Sequence, residues 1–229
     1  MSNLISLKNI SKSFKKNKKI NVLKKINFTF KKGKIYSLVG PSGSGKSTLL
    51  NIISLIDLPS NGNIIMSNKA INFKDTTAND IIRANKIGII YQQNNLLSDF
   101  TALENIYLAR LAVTNNKSDA ILRAKNILSK IGLSSRHNHF PSELSGGELQ
   151  RIAIARALIN EPEIILADEP TGSLDQNNAK KIFDILKSLK NSKRLIIYAT
   201  HNRFFANMAD YKLEMIGGNI KLINAKSKK

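Results

Sequence analysis

A largely parallel α/β sheet is the fold that three features of this 229-residue sequence predict. Short continuous apolar runs at 35–39, 87–91, 164–167 and 195–199 have the length of strands buried on both faces. Segments with helical spacing of apolar residues fall between them, an alternation that calls for crossover helices and parallel pairing. A glycine-rich loop, Gly40-Pro41-Ser42-Gly43-Ser44-Gly45-Lys46-Ser47-Thr48, joins the first of these runs to a helix.

Taken in order, 4–7 and 26–30 read as strands, the second with clear alternation. Lys31-Lys32-Gly33-Lys34 is a turn into the strand that feeds the glycine-rich loop. The helix after the loop starts near Ser47 and runs to Leu58, where Pro59-Ser60-Asn61-Gly62 ends it. A short strand follows at 63–66, then the buried-type strand at 87–91, ending at Gln92-Gln93. The middle changes character: 103–112 and 119–131 have helical spacing, which sets off a helical subdomain over about 94–145 from a core of about 1–93 and 146–229. A helix is predicted over 147–160, stopped by Pro162, and an amphipathic one over 178–190. Residues 224–229 are expected to form a mobile tail.

The length fits one domain carrying a small insertion and buries roughly 70% of the unfolded surface, enough for a core without staples. Cysteine is absent, which excludes disulfides and thiolate metal sites and suits a cytoplasmic setting. No apolar run approaches the ~20 residues that cross a bilayer, and 1–8 lack a secretory apolar region. Any membrane role is therefore expected to come through a partner or a surface. The formal net charge is +20, from 36 Lys+Arg against 16 Asp+Glu. The lysines are spread along the chain and accompany abundant Asn and Ile, as compositional bias would have it. Their densest run, 12–25, has little aromatic interleaving beyond Phe14. Proximity to an anionic leaflet ranks behind that reading, and nucleic acid, ranked last, is not an expected partner.

The loop fits the phosphate-binding pattern G-x-x-x-x-G-K-[ST] in the strand–loop–helix context it requires. Its glycines let backbone N–H groups turn toward phosphate oxygens, and the helix N-terminus adds a positive dipole. Lys46 would reach the β- and γ-phosphates and the Ser47 hydroxyl a Mg²⁺ ion. A second element, Ile164-Ile165-Leu166-Ala167-Asp168-Glu169, is an apolar strand ending in acids. Asp168 would hold Mg²⁺ and Glu169 would act as general base on the attacking water. A third, Leu144-Ser145-Gly146-Gly147-Glu148 with Gln150-Arg151, places a serine and two glycines at a helix start, where N–H groups and a hydroxyl face an anion.

In this order the three elements resemble the ATP-binding cassette (ABC) ATPases, a likeness that covers nearly the whole chain. It implies a P-loop NTPase fold with a RecA-like core, a β-subdomain and an inserted helical subdomain. It also implies ATP and Mg²⁺ as ligands and a homodimer in which Ser145, Gly146, Gly147 and Glu148 meet the γ-phosphate bound to the other copy. Gln92 matches the glutamine that senses Mg²⁺ and the attacking water and leads to the membrane partner. Ser173-Leu174-Asp175 matches the loop that crosses the dimer interface, His201 the histidine that contacts the γ-phosphate, and Phe14 the adenine-stacking aromatic. Leu149 and Gln93 depart from the usual pattern, and neither position does the chemistry.

Three longer stretches, 95–105, 139–148 and 166–175, are similar to the LolD-type branch of the family, which powers lipoprotein release; MacB-type efflux and FtsE-like cell-division ATPases share much of them. That branch implies two integral-membrane permease subunits of the LolC/LolE kind and a peripheral position on the cytoplasmic face of the inner membrane. Coiled-coil and two-cassette members of the wider class are a poorer match. The span between the two nucleotide motifs is too short for a coiled-coil insertion, and one cassette is present.

Overall fold

The computed structural model describes residues 3–15 and 19–225. Two sheets and seven α-helices make up this part of the chain. β1 (Asn3–Lys15) and β2 (Lys19–Lys31) form an antiparallel hairpin, followed by β3 (Ile35–Val39) and α1 (Lys46–Ile53). Next come β4 (Asn61–Met66), β5 (Lys69–Ala70), α2 (Thr76–Lys86) and β6 (Ile87–Ile90). α3 (Ala102–Leu111), α4 (Lys117–Lys130) and α5 (Gly146–Leu158) occupy the middle of the chain. The remainder alternates as β7 (Ile164–Asp168), α6 (Gln176–Ser188), β8 (Leu195–Ala199), α7 (Arg203–Ala206), β9 (Tyr211–Ile216) and β10 (Asn219–Ala225).

The larger sheet has the order β10-β9-β3-β8-β7-β6 and is parallel except for the β9–β10 hairpin. The smaller one, β2-β1-β4-β5, is antiparallel. The apolar runs explain the layering. Alternate residues of a strand face opposite sides, so Ile164 and Leu166 enter one core while Ile165 and Ala167 enter another. The first core lies between the sheets and takes Leu49, Ile52 and Ile53 from α1, along with Ile5, Phe30 and Ile64 from the smaller sheet. In the second, α6 lays Ile182, Phe183 and Leu186 against Ile196 and Tyr198, each apolar side chain contributing about 2 kcal/mol. A third core joins α3, α4 and α5 through Ile106, Ala124, Leu128 and Ile152. The helices of the middle segment therefore pack mainly on one another and on α5.

Some boundaries differ from expectation. α1 ends at Ile53 rather than Leu58, because Leu55 turns left-handed (φ +62°) and the N–H groups of Ile56 and Asp57 both donate back to the Asn51 carbonyl. β1 and β2 each run to 13 residues, well beyond the apolar runs at 4–7 and 26–30. β10 takes in Asn224 and Ala225, so the expected tail is shorter at its start; 226–229 lie outside the described residues, as do 16–18 within the lysine-dense run. No helix among the described residues is long and apolar enough to cross a membrane.

Candidate active site

Buried β3 delivers the chain to Gly40, and the loop closes onto the start of α1. Gly45 caps that helix with φ +99° and no side-chain hydrogen bond, which leaves first-turn N–H groups for a ligand. A Cβ at Gly45 would lie 2.8 Å from Leu23 Cδ2, so only glycine lets β2 close over the loop here. Beneath the loop is a cavity of about 510 Å³. Gly40, Ser42, Gly43, Gly45, Lys46, Ser47 and Thr48 line it from the loop and the start of α1, together with Val22, Gln92, Asp168, Glu169 and His201.

The Lys46 side chain is tied across the loop. Its Nζ donates to the carbonyls of Gly40 (2.8 Å) and Pro41 (3.0 Å), and Ser44 N donates to Pro41 O at 3.2 Å. Ser44 Oγ is buried with no partner. Asp168, at the end of β7, likewise keeps Oδ1 buried and without a hydrogen bond, a costly state for a carboxylate oxygen that a cation relieves. No group of three or more His, Cys, Asp or Glu gathers for a metal among the described residues. One carboxylate with a hydroxyl suits Mg²⁺, which takes the rest of its shell from water and substrate phosphates.

Glu169 adopts a left-handed backbone (φ +46°), a strain of roughly 1–2 kcal/mol. Two hydrogen bonds hold it there: its N–H donates to Ala199 O on β8, and Gly172 N–H donates to its carbonyl, both at 3.0 Å. The side chain turns to His201, with Oε2 3.0 Å from Nδ1 and accepting from the His201 backbone N–H at 3.3 Å. Neighbouring parallel strands β7 and β8 thus bring acid and imidazole together at their C-terminal ends. Gln92 follows β6 and touches the same loop: a Cβ on Gly172 would lie 3.0 Å from Gln92 Nε2. The segment around Gln92 is gripped by α5, through Gln150 Nε2 to Tyr91 O (3.4 Å) and the Arg156 guanidinium to Asn94 O and Asn95 O (2.7 and 2.6 Å).

Ser145, Gly146, Gly147 and Glu148 do not line this cavity. Ser145 caps α5 in a capping box: Oγ and the backbone N–H donate to Glu148 Oε2 (2.8 and 2.9 Å), and Glu148 N–H donates back to Oγ. Arg136 Nε donates to the other oxygen, Oε1, at 2.9 Å. The Ser145 backbone hydrogen bond above all, then its hydroxyl and Arg136, hold Glu148 below the usual carboxylate range. Asp175 caps α6, accepting from the N–H groups of Asn177 and Asn178 and from Asn178 Nδ2 (2.6 Å); the Asn178 backbone bond leads in lowering its pKa. A Cβ on Gly147 would lie 3.0 Å from Asn178, so the heads of α5 and α6 are in contact. Phe14 is half-exposed near the end of β1, opposite Ile20 and outside the cavity lining. Val22, Arg136 and Asn178 escaped the sequence reading, since none belongs to a local motif.

The ABC transporter family profile matches residues 23–172. The lipoprotein-releasing system ATP-binding protein LolD of Rickettsia bellii is 46% identical over 93% of this chain and 97% of its own length. LolD of Ehrlichia canis is 44% identical over 91% and 93%. Among solved structures, the dimeric post-hydrolysis state of the ATP-binding cassette MJ0796, bound to ADP and Pi, superposes with a TM-score of 0.91. It shares 37% sequence identity and covers 98% of this chain and 100% of its own.

Proposed function

This chain belongs to the ABC transporter family, and from that premise we propose that it is the ATP-hydrolysing subunit of a lipoprotein-releasing transporter. The observation that carries the ATPase reading is the convergence of the phosphate loop, Asp168, Glu169, Gln92 and His201 on one cavity. Likeness to the LolD proteins supports the cargo.

Lys46, free to exchange its two carbonyl acceptors for phosphate oxygens, neutralises the β- and γ-phosphates, and the N–H groups at the head of α1 receive the rest of the charge. Ser47, Gln92 and Asp168 would hold Mg²⁺, which when bound supplies charge neutralisation on the phosphates. Glu169 accepts a proton from the attacking water, and His201, held to the same carboxylate, meets the γ-phosphate. Phe14 stacks on adenine.

Two copies close head to tail, so that Ser145, Gly146, Gly147 and Glu148 of one face the γ-phosphate in the other, with Asp175 at the shared interface. The dimeric MJ0796 structures support a dimer of cassettes. Residues 94–145 act as a helical subdomain against a core of 1–93 and 146–229. Together with the Gln92 segment, that subdomain carries closure to two LolC/LolE-like permease subunits at the cytoplasmic face of the inner membrane.

The test is a pull-down of the Glu169→Gln variant, trapped with ATP, from detergent-solubilised native membranes. A permease pair with large periplasmic domains and bound lipoproteins is the expected recovery. A different permease without lipoproteins would overturn the cargo and leave the ATPase mechanism in place.

A further inference from the structure

We propose that Lys12 is a positioning residue for the Phe14 ring, clamping it to the turn that follows the phosphate-loop helix. The proposal rests on the reading of Phe14 as the platform for adenine. The Lys12 side chain is only 12% exposed, unusual for a lysine. Its Nζ donates to Asp57 Oδ1 at 2.6 Å and to Leu58 O at 2.7 Å, and lies 4.9 Å above the centroid of the Phe14 ring. One ammonium thus joins a carboxylate, a carbonyl and an aromatic face.

Each partner is itself fixed. Asp57 N–H donates to Asn51 O within α1, and Asp57 Oδ1 also accepts from Leu58 N–H at 2.7 Å. Ser60, just beyond, ties the same turn to β1: its N–H donates to Ser11 O, and its Oγ accepts from Ser13 N–H. α1 starts at Lys46, so a continuous set of contacts runs from the phosphate loop through Asp57 and Lys12 to the ring.

The ring also belongs to the hairpin that reaches the cavity. Phe14 pairs with Ile20, two residues before Val22, which sits at a bulge in β2, lines the phosphate cavity and approaches Gly45. A cation against one face draws π-density toward itself, which makes the other face the better partner for an electron-rich purine. Phe14 remains 46% exposed, so surface is left for a base. Lys12 would act on the base and not on the phosphates.

The full-length protein tests this by ATPase kinetics and by affinity for ATP and for inorganic tripolyphosphate, which lacks a base. Phe14→Ala is expected to raise KM for ATP about tenfold. Lys12→Gln should raise it about fourfold, with the effect falling on KM rather than kcat and with tripolyphosphate affinity held. Lys12→Arg should restore ATP affinity, and Lys12→Gln should add little on top of Phe14→Ala. Asp57→Asn, which loosens the clamp without touching the ring, should shift KM the same way by a smaller factor and serves where Lys12→Gln folds poorly. If Phe14→Ala leaves KM in place, the adenine platform itself is wrong. If Phe14→Ala raises KM but Lys12→Gln and Asp57→Asn do not, or if tripolyphosphate binding falls equally, the role of Lys12 is overturned and the platform stands.

Discussion

At the phosphate loop, polar capacity is buried and left over: Lys46 is 9% exposed, and Ser44 Oγ and Asp168 Oδ1 have no partner. At the head of α5 the opposite holds, since Ser145 is exposed and its hydroxyl, its N–H and the Glu148 carboxylate satisfy one another. The first region is arranged for a ligand before the ligand arrives, because buried strands β3, β7 and β8 hold its groups in place. The second is stable by itself in water, and its serine hydroxyl meets an anion only by giving up its bond to Glu148. Such a pair suits a stepwise order, with nucleotide captured by the phosphate loop of one copy and the second copy's α5 engaged afterwards.

The largest effect comes from breaking the preorganised region. Lys46→Ala removes the main counter-charge from the cavity, and affinity for a fluorescent ATP analogue should fall by about two orders of magnitude. Unchanged affinity would show that the backbone cradle binds phosphate without the ammonium.

A smaller, more selective effect belongs to the other region. Ser145→Arg puts a long cation where the proposed dimer brings two copies together, so nucleotide binding by the single chain should persist while the ATP-dependent dimer disappears. Size-exclusion chromatography of the variant in a Glu169→Gln background, with and without ATP, measures it. A dimer that still forms would contradict the shared site.

Most of the parallel core was legible because its strands are continuous apolar runs with helices between them, and the loop 40–48 was legible because its chemistry is local. What could not be read arises from contacts between distant segments. Val22 enters the cavity only because β2 folds over Gly45, and Asn178 reaches Gly147 only because the heads of α5 and α6 meet. α2 fully buries a single residue, Asn79, and packs only Ile82 of its larger apolar side chains against the core, a signal too short to stand out in the sequence. The hairpin of β9 and β10 was a miss of another kind, since Leu213 and Met215 alternate inward as a half-buried strand should. The truncated α1 follows from a left-handed Leu55, which no propensity rule anticipates in a leucine.

The smallest effect probes how the self-satisfied region holds itself. Glu148 sits below its ordinary pKa of 4.5, chiefly through the Ser145 backbone N–H, so the folded state favours the carboxylate. Such a group contributes stability that is fully present above the unfolded pKa and is lost as pH falls through the lower, folded value. Glu148→Gln keeps the shape of the capping box but has no charge to lose. The melting temperature of wild type should therefore exceed that of Glu148→Gln above about pH 5, and the gap should close as the medium is made more acidic. The difference should stay within the ~1 kcal/mol scale of a helix cap. Parallel melting curves for the two proteins across that range would mean the box is held by geometry alone. The contrast with the phosphate loop would then rest on the Ser145 hydroxyl and not on the charge that Arg136 and Glu148 share.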